Sequence, residues 1–268
     1  MKCMNVILAM LFVSCFLLVP YAGNTQESVA VNKESGTEYR AALDLFNNNK
    51  YSEAADHFKR AYELDNRNID ALFAQGFALS KEKKFKTAAE ILQQVLDTDP
   101  KHQKALKLLP TTLASAGDTE KALEAYDKGI EEMPDNYFFY FGKAVLHLQN
   151  EMYEKAVPLL KNALEKDPQN LSIQEKLMYA YSKMGRSEDS YAIALKILDK
   201  DENNAHARIA AADFKRLSGQ YKDAIEEYKI AAKNIETKAY AEHFIEVILQ
   251  KLEEIEIEKE YQERQKNN

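Results

Sequence analysis

Phe85-Lys86-Thr87-Ala88-Ala89-Glu90-Ile91-Leu92-Gln93-Gln94-Val95-Leu96-Asp97-Thr98-Asp99-Pro100 is one pass of a pattern that runs through the chain. Its Ala88 belongs to a series of small residues spaced 34 apart: Ala54, Ala88, Ala122, Ala156, Ser190 and Ala224. Three residues before each stand Tyr51, Phe85, Thr119, Tyr153, Ser187 and Tyr221. Four after come Phe58, Leu92, Tyr126, Leu160, Ala194 and Tyr228, and seven after come Ala61, Val95, Gly129, Ala163, Ile197 and Ala231. Offsets of three, four and seven share one face of a helix. The quoted stretch is therefore a helix whose buried stripe alternates large and small side chains. A period of 34 is the length of a helix–turn–helix unit that stacks into a solenoid.

The punctuation keeps the same register. Twelve residues after the small position lie Asn66, Pro100, Pro134, Pro168, Glu202 and Glu236. Asp99-Pro100, Pro134-Asp135-Asn136 and Pro168-Gln169-Asn170 are helix stops. Five residues before it lie Asn49, Lys83, Gly117, Glu151, Gly185 and Gly219. The glycines supply the positive φ that a tight interhelix turn needs. Asp118 and Ser187 stand where N-caps of second helices belong.

These landmarks resemble the tetratricopeptide repeat family over roughly residues 35–236. Repeat two matches through Gly76, Phe85, Ala88 and Pro100. Repeat four matches through Ala144, Tyr153, Ala156, Ala163 and Pro168, and repeat six through Ala212, Gly219, Tyr221, Ala224, Tyr228 and Ala231. The chain departs from the family in having no Trp, in Pro110 where a small residue is expected, and in Ser187, Ser190 and Ala194 at three core positions of repeat five. That repeat is expected to pack most loosely. His147 and Lys215 take a register held elsewhere by Leu45, Leu79, Leu113 and Tyr181. The expected fold is all-α: a right-handed α–α superhelical solenoid of six helix–turn–helix repeats, at 35–68, 69–102, 103–136, 137–170, 171–204 and 205–238. Residues 239–268 are expected to form a C-terminal capping helix and tail, since a terminal repeat needs a polar cover.

In the resembled family, first helices line a concave groove that holds an extended or helical peptide. The resemblance places Tyr39, Leu43 and Phe46 of repeat one in that groove. Phe73 and Phe77 follow in repeat two, Lys104 and Lys107 in repeat three, Phe138 and Phe141 in repeat four, Tyr179 in repeat five, and His206, Ile209 and Asp213 in repeat six. The candidate partner-binding residues are Tyr39, Phe73, Phe77, Lys104, Lys107, Phe138, Phe141 and Tyr179. Rings suit an apolar or amphipathic protein segment, and the two lysines suit an acidic group within it. The alternative is that the rings pack between neighbouring first helices. The acidic-tail clamp of cochaperone members is absent, because Tyr39 and Leu43 stand at its early offsets.

The two ends differ from the repeats. Residues 1–22 carry Lys2 as their only charge, and residues 6–19 are an apolar run closed by Pro20. That order reads as a signal peptide, too short for the roughly 20 residues of a membrane span. It predicts export to a periplasm or the extracellular space. If the leader is retained, residues 6–19 become a membrane anchor. Cys3 and Cys15 both lie in it, so a cleaved chain has no thiol chemistry. Residues 23–34 read as a flexible polar linker.

No catalytic, metal or cofactor constellation stands out. The histidines are scattered, with no i, i+4 pair and no Cys partner; His57 reads as solvated and His147 as a satisfied inner histidine. No Gly-rich phosphate loop is present. A formal charge of -7 argues against nucleic acid, and Lys81, Lys83, Lys84 and Lys86 read as a solvated turn. The sequence thus predicts a non-enzymatic interaction scaffold, by analogy of architecture in assembly of an envelope or secretion complex. The alternative is a membrane-anchored structural subunit that acts by self-association.

Overall fold

The computed structural model describes residues 25–266; the leader expected at 1–22 lies outside them. The described residues form thirteen α-helices and no strand. They are α1 (Thr25–Asn47), α2 (Tyr51–Leu64), α3 (Ile69–Lys81), α4 (Phe85–Thr98), α5 (Gln103–Ser115), α6 (Thr119–Glu132), α7 (Tyr137–Gln149), α8 (Tyr153–Lys166), α9 (Leu171–Lys183), α10 (Ser187–Leu198), α11 (Ala205–Leu217), α12 (Tyr221–Ala231) and α13 (Ile235–Lys266). Odd and even helices pair into six repeats, and α13 covers the last. None of these helices is long and apolar enough to cross a membrane.

The recurring small residues are the inner hinge of each pair. Ala54, Ala88, Ala122, Ala156 and Ala224 are fully buried, and Ser190 is 2% exposed. The Ser190 hydroxyl donates to the Met178 carbonyl at 3.1 Å, so the one polar member of the series is satisfied. The aromatic or aliphatic residue four positions on fills the adjoining space: Phe58, Leu92, Leu160 and Tyr228 are all 0–1% exposed. Between α6 and α7 the fit is reciprocal. Gly129 lies under the Phe139 ring, and Gly142 lies against the Tyr126 ring.

Every turn within a repeat uses a left-handed residue at the expected register, whatever its type. Gly117, Gly185 and Gly219 have φ of 84°, 71° and 76°, and Asn49, Lys83 and Glu151 have φ of 59°, 65° and 57°. Geometry therefore overrides residue preference at Lys83 and Glu151. The turns between repeats are built on Asn. Asn68, Asn136, Asn170 and Asn204 each accept a backbone N–H from the first turn of the following helix, and His102 Nδ1 does the same for α5.

Packing is strictly between neighbours. Each helix touches the next in sequence, and α3, α5, α7, α9, α11 and α13 also touch in turn along one side. Second helices have no such row of contacts with one another. The first helices thus form the inner wall and the second helices fan apart outside.

Some expectations fail locally. The segment read as linker is helical from Thr25 onward, because α1 continues three turns upstream of its repeat; Ser35 anchors it by donating to the Ala61 carbonyl at 2.8 Å. The capping helix starts at Ile235 rather than 239, with the buried Thr237 hydroxyl tied to the Ala231 carbonyl at 2.6 Å. Asp118 caps α6 through Lys121 N–H, but Ser187 lies one residue inside α10, whose N-cap is Arg186. Pro110 is buried within α5, which has the same 13 residues as α3, α7, α9 and α11, so the ring does not end the helix. His57 is half-buried and pairs with Glu38 at 2.5 Å instead of facing solvent alone. His147 is buried as expected, but its Nδ1 has no partner among the described residues.

Candidate functional site

The inner wall places aromatic side chains of successive first helices in contact. Phe46 of α1 stacks on Phe77 of α3 at 5.2 Å between centroids, Phe77 on Phe73 at 6.2 Å, and Phe73 meets the His102 ring at 5.0 Å. All four are half-buried. Lysines border the row. Lys81 Nζ lies 5.3 Å from the Phe77 centroid and Lys104 Nζ 6.0 Å from that of Phe73, within reach of the ring quadrupole. Lys107 is exposed one turn beyond Lys104, and Asp70, 4.0 Å from His102 Nε2, is the acidic group on this stretch. Tyr39 sits at the near end, half-buried and edge-on to Phe58 at 5.2 Å. Burial, then the Asp70 charge, raises its phenol above the ordinary value.

The other expected residues do not join this row. Phe138 packs back against Tyr126 and Phe139 at the edge of the core of repeats two to four. Phe141 lies against the core that runs from repeat four to the first helix of repeat six. Tyr179 is 43% exposed, edge-on to Tyr153 at 6.2 Å and with Lys183 Nζ 5.5 Å from its face. It lines a second inner hollow of about 660 Å³ together with Glu175, Lys183, His206, Asp213 and Tyr240. A smaller recess of about 190 Å³ shares Ser190, Asp213 and Tyr240 with it. Ser187 borders that recess at a register where an aromatic ring stands in most other repeats, and the missing ring is the space.

Asp213 closes the floor of this hollow. It accepts hydrogen bonds from Tyr228 at 2.5 Å and Tyr240 at 3.0 Å, and Arg216 lies 3.6 Å away. Burial and then the Asp213 charge push the Tyr240 phenol up to about 12, so it stays a donor. Behind it Glu227 holds both Arg208 at 2.6 Å and Lys215 at 2.7 Å. The Glu227 pairs tie α11 to α12 within repeat six, and Tyr240 on Asp213 ties that repeat to α13. A further hollow, about 760 Å³, is on the outer side between α4 and α6, floored by Leu106, Leu109 and Leu113 of α5. It contains none of the expected residues and follows from the fanning of the second helices.

Lys81 and His102 are members of the row that sequence reading assigned elsewhere. In the sequence Lys81 reads as part of a basic turn, and His102 as one of several scattered histidines. The Asn series at 68, 136, 170 and 204 was the available signal for His102, which fills the vacant place at 34-residue spacing. Among the described residues no three His, Cys, Asp or Glu side chains are placed to hold a metal ion. The wall offers ring faces, ammonium groups and shape, which is the chemistry of binding.

The helical pairs, their register and the inner wall define a tetratricopeptide repeat protein, a right-handed superhelical solenoid. By sequence the chain belongs to the coatomer epsilon subunit family, whose pattern matches residues 25–222. It is 26% identical over 185 residues to the BBSome complex member BBS4 of Bos taurus, a match covering 69% of this chain and 32% of that protein. It is 29% identical over 156 residues to the TPR repeat-containing protein YpiA of Bacillus subtilis, covering 56% of this chain and 35% of that one. The chain thus spans about a third of the length of either relative. In three dimensions it resembles YrrB, described as a TPR protein with an unusual peptide-binding site, with TM-score 0.60 at 15% identity over 70% of this chain and 97% of that one. At that identity the likeness establishes the fold.

Proposed function

We propose that the protein is an exported, non-enzymatic interaction scaffold that holds an apolar or amphipathic partner segment on its inner wall. The observation that carries this reading is the Phe46–Phe77–Phe73–His102 row bordered by Lys81, Lys104 and Lys107. Half-buried rings held by their neighbours offer area without a large entropy loss on binding. The YrrB description names a peptide-binding site on the same fold, and BBS4 is named as a member of a complex; both support a role in assembly. Export rests on the apolar leader, with a retained anchor as the other outcome.

The test uses Phe73→Ala/Phe77→Ala. A partner captured by the wild-type chain is identified, and the segment that binds is titrated against both proteins. The variant is expected to lose at least tenfold in affinity while its thermal unfolding stays cooperative. Equal affinity overturns the assignment of the wall. N-terminal sequencing of the protein from fractionated cells reads the fate of the leader.

A further inference from the structure

We propose that the projecting end of α13 from one copy docks on the aromatic–lysine row of a second copy, so that the protein associates head to tail. This rests on the inner-wall reading above and names one ligand of that wall.

α13 is longer than a cap requires. Its 32 residues span roughly 48 Å. It touches α11 and α12, and its last half-buried residue is Ile255. Residues 256–266 are all exposed, about 16 Å of helix beyond the solenoid. Ile257 and Tyr261, one turn apart on one face, are 62% and 55% exposed, and Leu249 two turns earlier is 53% exposed. Around them, residues 253–266 carry six Glu against three Lys or Arg.

The row at the other end is its complement. Lys81, Lys104 and Lys107 outnumber Asp70 there, whereas the rim of the outer hollow bears Glu90, Asp97, Asp118 and Glu124 against Lys86, Lys121 and Lys128. An acidic helix is drawn to the first and not to the second. Spacing agrees as well. Side chains four apart on a helix stand about 5–6 Å from each other, and the rings of the row step by 5.2 and 6.2 Å. The tail extends from repeat six, and the row belongs to repeats one to three, so the contact joins two molecules. Two different surfaces meeting in this way give open chains. The interface is small and charged, hence weak and salt-sensitive.

Sedimentation velocity on the full chain at rising concentration tests this. The tail variant is Ile257→Asp/Tyr261→Ser, with a chain ending at Ile255 as its second form. The groove variant is Lys81→Glu/Lys104→Glu, which changes exposed lysines. Wild type is expected to grow past the dimer at low salt and to return to monomer in high salt. Each variant alone is expected to stay monomeric, and an equal mixture to form dimers and nothing larger, because one good tail and one good groove remain. A monomeric wild type, association that persists in either variant alone, or a monomeric mixture overturns the proposal. Loss of an outside partner in Phe73→Ala/Phe77→Ala with a monomeric wild type leaves the inner-wall reading standing and removes only this one.

Discussion

Gly129→Ala sets two effects of opposite sign against each other. Gly129 is inside α6, where Ala is the better helix former by about 1 kcal/mol. Local propensity alone therefore expects a more stable protein. The packing says otherwise. A Cβ there would lie 2.8 Å from Phe139 Cγ and closer still to Cδ1 and Cε1. Phe139 is fully buried and edge-on to Phe138 at 5.4 Å, so its ring has no free direction in which to move. Overfilling a core costs about 1–3 kcal/mol, and contact with three atoms of a fixed ring belongs at the upper end. The expected net loss is about 2 kcal/mol. Urea unfolding followed by circular dichroism gives the sign directly. Phe139→Leu supplies the control, since a smaller side chain makes room for the methyl. In that background Gly129→Ala is expected to be neutral or stabilising by up to about 1 kcal/mol, a coupling of about 2–3 kcal/mol. A single Gly129→Ala variant as stable as wild type, or additive effects in the double variant, would refute the ring-on-glycine account.

The turn residues make a paired test: Glu151→Gly is expected to stabilise and Gly185→Ala to destabilise, each by about 1 kcal/mol in urea unfolding, because φ is 57° and 71° and a Cβ at Gly185 meets nothing but its own backbone. His147→Leu is expected to raise stability by about 1–2 kcal/mol by removing the unpartnered Nδ1. Burial, then Lys143 and Lys155, against an opposing Asp127, hold the His147 imidazole below its ordinary 6.5. The unfolded chain therefore takes up a proton first, this contribution is complete above pH 6.5 and fades below it, and the Leu variant is expected to show a flatter stability profile as pH falls below 6.5. For Glu227, burial pushes the carboxyl up, but the hydrogen bonds and charges of Lys215 and Arg208 outweigh it and the group titrates below the usual 4.5. Its contribution is present above 4.5 and lost as pH falls further, so Glu227→Gln is expected to flatten the acid limb of a pH–stability curve; an unchanged limb counts against the pairing.

The repeat register was readable because burial acts on side-chain size at fixed intervals. Six small residues at one spacing leave a single way to stack the pairs, and all six are buried. The turns were half readable. Glycine advertises a left-handed backbone, whereas Lys83 and Glu151 reach it only because the helices on both sides dictate the path. Helix ends were least readable. Asn234 is a start signal for the helix at Ile235, its side chain accepting the Glu236 N–H at 2.8 Å, but it falls outside the 34-residue register of the other capping Asn residues and so escapes a reading by repeat. The inner wall was legible as a set of offsets but not as a grouping. Phe77 meets Phe46 and Phe73, while Phe138 meets Tyr126 and Phe139 instead, so groove-facing offsets in different repeats find different ring partners. Lys81 joined the row because a long flexible stem lets an ammonium group lie back over a ring.

The fanned arrangement of the second helices has a mechanical consequence. With no row of contacts to stretch or crush along the outside, the molecule can arch or straighten like a backbone of vertebrae, each joint turning slightly on its inner edge. Small rotations add up from one end to the other. The inner channel can thus change girth without any row of second-helix contacts having to part.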